Sequence, residues 1–297
     1  MPSFSLFQGF GKSSFMTISP PTHHTADAPL SNGNVSIERV SCDISVIVPV
    51  MNEQGNIRPL IDEIGAALKG RDYEIIYIDD GSDDSSDTEL ATAAEEVERL
   101  IVLRHTVRAG QSAAIRSGLL RSSGKLICVL DGDGQNVPSD LPHLIEQLET
   151  IRPAHGMAGG VRTKRVDSYM RRKASGFARF IRKTMLKDTH PDSGCGIKVV
   201  DRDIFLQLPF FNHMHRFMPS LVRRAGGEVL AVPVAHRARG AGASKYTNIN
   251  RLLVGIVDII GVIWLIRRAD KSQSVTIVSL PKPASKKSAA KKKDHSS

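Results

Sequence analysis

Aromatic residues are scarce in this chain, with one tryptophan and four tyrosines in 297 residues. Proteins that hold single-stranded nucleic acid stack bases on aromatic rings. A formal net charge of +9 therefore has few stacking platforms beside it, no nucleic-acid module is recognisable, and no nucleic-acid partner is expected. Cysteine is sparse too. Cys42, Cys128 and Cys195 show no metal-ligand spacing and Cys128 lies inside an apolar run, which argues against a zinc site or a disulfide framework and fits a reducing, cytoplasmic compartment. No basic start precedes an apolar core near the amino terminus, where Gln8, Gly9, Gly11 and Lys12 interrupt the apolar residues, so no signal peptide is expected. No uncharged apolar run reaches the roughly 18 residues of a membrane span. No complete Gly-x-x-x-x-Gly-Lys-Ser/Thr phosphate loop is present, and no Gly-x-Gly-x-x-Gly follows the first apolar run, which argues against an ATPase and a dinucleotide dehydrogenase.

What is present is a regular alternation. Residues 1–42, rich in Ser, Thr, Pro, Gly and Asn, read as a flexible arm. Apolar runs then recur at 44–50, 74–78, 100–104 and 126–130, and each is followed by a helical pattern, over 57–68, to about Arg99, over 111–121 and over 139–149. Strands alternating with helices predict right-handed crossovers and an α/β fold with a doubly wound, mostly parallel sheet. A main domain over 43–248, a helix within 249–270 and a Lys-rich, disordered tail over 271–297 complete the expected organisation.

Polar residues gather where these strands end: Asn52 and Glu53 after the first, Asp79 and Asp80 after the second, Asp131 and Asp133 after the fourth. Open α/β sheets bind ligands at the carboxyl ends of their strands. Asp131 and Asp133 are two apart, so on extended backbone they face one way, and two hard oxygen donors suit a divalent cation that also takes phosphate oxygens. Each carboxylate taken singly also fits a turn or a helix cap. Taken together they best explain a nucleoside diphosphate, with carboxylates accepting hydrogen bonds from base or ribose and others holding a cation.

Five motifs in order carry a more specific signal: Val48-Pro49-Val50-Met51-Asn52-Glu53, Ile78-Asp79-Asp80-Gly81-Ser82, Asp131-Gly132-Asp133-Gly134-Gln135-Asn136, Asp192-Ser193-Gly194-Cys195-Gly196 and Arg239-Gly240-Ala241-Gly242-Ala243-Ser244-Lys245-Tyr246. With them the chain resembles the family 2 glycosyltransferases of the GT-A fold, and among these the polyprenyl-phosphate glycosyltransferases of the dolichol-phosphate mannose synthase type, from about Ser45 to Arg268. The resemblance implies that Pro49, Glu53 and Asp80, with Asn52, Asp79 and Gln111 beside them, hold a GDP- or UDP-linked sugar. It implies Mg²⁺ or Mn²⁺ on Asp131, Asp133 and Gln135, and an acceptor phosphate gripped by Arg162, Arg171, Ser175, Arg239 and Lys245. Asp133, Arg162 and Asp192 would be the catalytic groups. Met51 stands where an aromatic is usual, and His105 and Arg108 replace the commoner Asn and Gly.

Charge and apolar runs point the same way. From Arg162 to Lys183 nine basic residues face Asp167 alone, and Phe177, Phe180, Ile181 and Met185 recur beside them at helical spacing, so a basic amphipathic helix is expected, suited to a phosphorylated lipid at an anionic membrane surface. Leu252–Ile266, broken by Asp258, spans only about 22 Å as a helix and reads as an interfacial or docking helix, with a core helix as the other reading. A membrane-protein partner is compatible with it. His213 and His215 precede an apolar stretch with no third ligand in view and are read as structural. The expected activity is inverting transfer of a hexose, mannose or glucose, to a polyprenyl phosphate by a peripheral enzyme on the cytoplasmic face of a membrane. A family 2 enzyme with a protein, polysaccharide or glycolipid acceptor, and a non-catalytic nucleotide-sugar-binding adaptor, are the other readings.

Overall fold

A computed structural model describes residues 41–151, 155–163, 184–186, 188–237 and 248–268, with side chains from 255 onward in the last segment. Arg171, Ser175, Arg239 and Lys245, most of the expected basic helix, the arm up to residue 40 and the tail beyond 268 lie outside the described residues.

Seven strands form one sheet: β1 (Ile44–Val50), β2 (Tyr73–Asp79), β3 (Leu100–Arg104), β4 (Leu126–Val129), β5 (Gly156–Arg162), β6 (Lys198–Asp201) and β7 (Glu228–Val234). Their order is β3-β2-β1-β4-β6-β5-β7. β1 pairs in parallel with β2 and β4, β2 with β3, and β5 with β7, while β6 lies antiparallel to both β4 and β5. The expected mostly parallel sheet is present, with one reversed strand that local pattern did not reveal.

Helices α1 (Ile57–Ala67), α2 (Ser86–Glu96), α3 (Gln111–Arg121) and α4 (Leu141–Thr150) follow the first four strands, and α5 (Arg202–Gln207), α6 (Met218–Arg224) and α7 (Asn248–Arg267) follow later. Two expected bounds shift. α2 stops at Glu96, because Val97 is extended. The turn before α4 is a 3₁₀ segment over Pro138–Asp140, and the α-helix starts at Leu141.

The sheet is covered on both faces. In β1, Val46, Val48 and Val50 join one core with Leu60 and Ile64 of α1 and Leu144 of α4, whereas Ile47 joins the opposite core with Ile115 of α3, Leu221 of α6 and Val262 of α7. Period-two alternation thus feeds two layers from one strand. Pro49 fits this central strand. Leu130 N–H donates to the Ile47 carbonyl, so odd positions of β1 face β4, and the β1–β4 ladder has ended at Ile47–Val129, where a missing N–H at 49 costs nothing.

α7 is 20 residues long, and no helix among the described residues is long and apolar enough to cross a membrane. It is neither a fully buried helix nor a free one. Val262 and Ile263 are buried, while Val257, Ile260 and Trp264 are more than 60% exposed.

Candidate active site at the carboxyl ends of the strands

The loop after β4 is shaped by close approach. A side chain at Gly132 would stand 2.4 Å from Val50 Cγ1 and 3.0 Å from the Pro49 carbonyl, so only glycine lets the chain cross the end of β1 with Asp131 and Asp133 on either side. Asp133 is buried and its Oδ1 accepts the Gln135 N–H at 3.1 Å. Asp131 Oδ1 accepts from Gln111 Nε2, the first residue of α3, at 2.7 Å. A Cβ at Gly196 would lie 2.1 Å from Asp131 Oδ2 and 2.7 Å from Asn136 Oδ1, so the small-residue segment 192–196 is small because it lies over Asp131. From the other side, Arg237 N–H donates to the Gln135 carbonyl at 3.1 Å. The Arg237 side chain donates to the Gly134 carbonyl and makes a two-pronged pair with Glu63 of α1 at 2.9 and 3.0 Å.

Charge is dense here and largely buried. Burial, with Asp133 adding to it, pushes the Asp131 carboxyl up, and Lys198, Gln111 and Arg162 oppose the shift. Lys198 of β6 is buried, donates to the Cys195 carbonyl, and is held down by burial against the pull of Asp131. A lysine inside the run Ile197–Val200 is the signal that marks it, because a charge in a buried strand needs partners. Arg162, at the end of β5, donates from Nε and Nη2 to the two oxygens of Asp192 at 2.7 and 2.8 Å. Asp192 also accepts the Arg162 backbone N–H at 3.3 Å, so its place is that of a buried orienter of the guanidinium. His190 Nε2 donates to the Gly159 carbonyl and its Nδ1 accepts the Asp192 N–H, roles that need a neutral ring. Burial lowers its pKa accordingly.

The residues assigned to the nucleotide organise the neighbouring loops. Asp80 accepts three bonds of 2.8 Å, from the N–H groups of Ala109 and Gly110 and from His105 Nδ1. His105 Nε2 in turn meets Ser117 Oγ at 2.9 Å, so the histidine that replaces the commoner Asn ties this loop to α3. Asp79 is buried, accepts the Ser82 N–H at 2.9 Å and faces Arg104 Nε at 3.3 Å. Asn52, with φ 59°, exchanges bonds with Asp83, and Glu53 accepts from Asn56 Nδ2 at 2.9 Å. Asn52, Glu53, Asp79, Asp80, Gln111, Asp131, Asp133, Gln135, Arg162 and Asp192 therefore all lie along one end of the sheet.

The donor set suits a hard cation. Asp131 and Asp133 offer carboxylate oxygens, and the buried Asn136 Oδ1 beside them accepts no hydrogen bond. Among the described residues no group of three or more His, Cys, Asp or Glu side chains gathers as a full metal cage. Two carboxylates with remaining positions left to water and phosphate are the way Mg²⁺ is ordinarily held. A cation here would also offset the burial and the lesser Asp133 repulsion that raise Asp131.

His213 and His215 join neither group. His213 Nδ1 meets Asp258 Oδ2 of α7 at 2.9 Å, and His215 Nδ1 meets Ser112 Oγ of α3 at 2.8 Å.

The sequence model described as glycosyl transferase family 2 matches residues 45–208. The chain is 30% identical over 251 residues to the dodecaprenyl-phosphate galacturonate synthase of Rhizobium johnstonii, covering 82% of this chain and 72% of that protein. It is 33% identical over 207 residues to the undecaprenyl-phosphate 4-deoxy-4-formamido-L-arabinose transferase of an Enterobacter species, covering 69% of this chain and 62% of that protein. Among solved structures, glucosyl-3-phosphoglycerate synthase from Mycobacterium tuberculosis, in complex with Mn²⁺, UDP-glucose and phosphoglyceric acid, superposes with a TM-score of 0.60 at 19% identity, over 78% of this chain and 81% of that one. At that identity the likeness speaks for the fold.

Proposed function

The chain belongs to glycosyl transferase family 2, and on that premise we propose that it moves a sugar from a nucleotide donor to a polyprenyl phosphate, with inversion at the anomeric carbon. The observation that carries this reading is the pairing of two unlike sites at one sheet edge. Asp131, with Asp133 two residues on, lies beneath the 192–196 segment at Gly196, and the Arg162 charge acts on Asp131. Carboxylates serve a cation-bound diphosphate, and a guanidinium serves an anion arriving from the side of β5. The names of the two curated relatives, both polyprenyl-phosphate sugar transferases, support the same acceptor class here.

Asp131, Asp133 and Gln135 would hold Mg²⁺ or Mn²⁺, which supplies charge neutralisation for the departing diphosphate. Asp192 holds Arg162 in place, and Gln111 holds Asp131. The acceptor phosphate is already an anion at neutral pH, so alignment and charge stabilisation suffice and no strong general base is needed. Arg171, Ser175, Arg239 and Lys245 would complete the acceptor side. The apolar face of α7 (Ile256, Val257, Ile260 and Trp264), followed by Arg267, Arg268 and the Lys-rich tail, fits a helix lying on an anionic membrane surface as a peripheral anchor. A hexose is the sugar class we assign, carried on GDP or UDP.

The test is to incubate the purified protein and Mg²⁺ or Mn²⁺ with a panel of GDP- and UDP-sugars, with and without polyprenyl phosphate. Lipid-linked sugar detected by mass spectrometry supports the reading, and transfer indifferent to the lipid phosphate defeats it.

A further inference from the structure

Two histidines that no catalytic role absorbs form a continuous connection between α7 and the donor carboxylate. Asp258 is the sole acidic residue of α7, and its side chain is only 16% exposed. A carboxylate at that depth needs a partner, and it has one in His213, whose Nδ1 lies 2.9 Å from Asp258 Oδ2. His213 adopts φ 66°, a conformation that costs a non-glycine residue on the order of 1 kcal/mol and persists where the surroundings over-determine it. The strained residue opens the 3₁₀ turn Met214–Arg216, whose Met214 is buried in the core that α3 and α7 share. One residue on, His215 Nδ1 meets Ser112 Oγ at 2.8 Å, and the His215 N–H approaches the same oxygen at 3.5 Å. Ser112 follows Gln111, which donates to Asp131 Oδ1 at 2.7 Å. On its far side this helix start is tied down by Asp80 through Ala109 and Gly110. Gln111 therefore sits between two clamps, one just past the end of β2 and one that ends on α7.

We propose that His213 and His215 are positioning residues, a strut by which the seating of α7 on the body sets the placement of Gln111 against Asp131. As far as it concerns nucleotide binding, this rests on the reading of Asp131 as a donor-side group. Coupling of this kind is reciprocal, so a surface that reseats α7 alters donor binding, and donor binding alters the hold on α7. The strut is made of directed bonds and one strained turn, with discrete made and broken states.

Two measurements on the full chain decide it. Hydrogen exchange by mass spectrometry needs no ligand. Asp258→Ala should speed exchange of the peptide covering 105–115 by about tenfold and leave α1 unchanged, while Asp258→Asn, which keeps an acceptor for His213, stays near wild type. Ser112→Ala should reproduce the effect from the other end. Equal acceleration in α1, or none at 105–115, overturns the strut. The second measurement titrates Mn²⁺-UDP and Mn²⁺-GDP by calorimetry. Asp258→Ala should weaken binding about fivefold, and in a Gln111→Ala background it should weaken it no further. A full additional loss in that background overturns the proposal, since independent distant sites add. Wild-type protein that binds neither nucleotide defeats the donor reading instead, and the exchange result still decides the strut.

Discussion

In the β3-β2-β1-β4 half of the sheet every strand is followed by a helix that returns the chain to the same end, whereas in the β6-β5-β7 half one strand runs backwards between its neighbours. The first half delivers acids. Glu53, Asp79, Asp80, Asp131 and Asp133 all lie at or just past the carboxyl ends of strands that point one way, so topology alone puts them together. The second half delivers cations, Arg162 at the end of β5 and Lys198 at the start of β6. Because β6 is antiparallel, its first residue lies at the same sheet edge as the last residue of β5. The reversal of β6 thus places the buried Lys198, and Asp192 ahead of it, at the end where β5, which runs parallel to β4, delivers Arg162.

The largest expected effect comes from removing the acid side. Asp133→Ala should lower sugar transfer by about a thousandfold or more with any nucleotide sugar, and wild-type-like turnover would leave the carboxylate half without its assigned role. Next is the seam between the halves. Gly196→Ala puts a methyl into the space of Asp131 Oδ2 and Asn136, and a displacement of about 1 Å there should cost roughly a hundredfold in turnover. Steady-state kinetics beside a thermal melt separate this from global unfolding.

On the cation side, Asp192→Ala strips the charge partner from Arg162, whose side chain is 23% exposed. A loss of about 3 kcal/mol in urea unfolding is expected, at the lower end for a broken buried pair. A smaller effect tests by pH the histidine that meets Ser112 of α3. Burial holds His215 down to about 3, below the roughly 6.5 of an unfolded histidine. The unfolded chain therefore takes up the proton first, and the contribution is full above about pH 6.5 and lost as pH falls toward 3. At pH 5 roughly 2 kcal/mol should be gone relative to pH 8, a slope that His215→Asn removes. The smallest effect belongs to Arg237 and Glu63, 41% and 35% exposed. Glu63→Gln should change stability by less than about 1 kcal/mol.

The legible parts of this site were the ones written in local code. Asp131-Gly132-Asp133 after an apolar run, and Asp79-Asp80-Gly81 after another, could be read as ligand groups because strand direction follows from the alternation of strands and helices. Asp80 shows the limit of that reading. Its carboxylate clamps the 105–110 loop through three short bonds, and nothing in the motif distinguishes a loop clamp from a ligand. The partner of Arg162 is 30 residues away in Asp192, and that of His213 is 45 residues away in Asp258. Neither separation has a period. Asp258, seen in the sequence as an interruption of an apolar helix, is an anchoring point.

By itself the chain of residues determined the βα repeats, the doubly wound, mostly parallel sheet and the acidic ends of the first strands, because each depends on periodicities of a few residues and on turn chemistry close by. Only the tertiary structure decided that β6 runs against its neighbours, that Lys198 lies beneath Asp131, and that α7 leaves one apolar face open while binding His213 with the other. Those outcomes depend on long-range pairing, where burying a charge is tolerated once its counter-charge arrives from elsewhere in the chain.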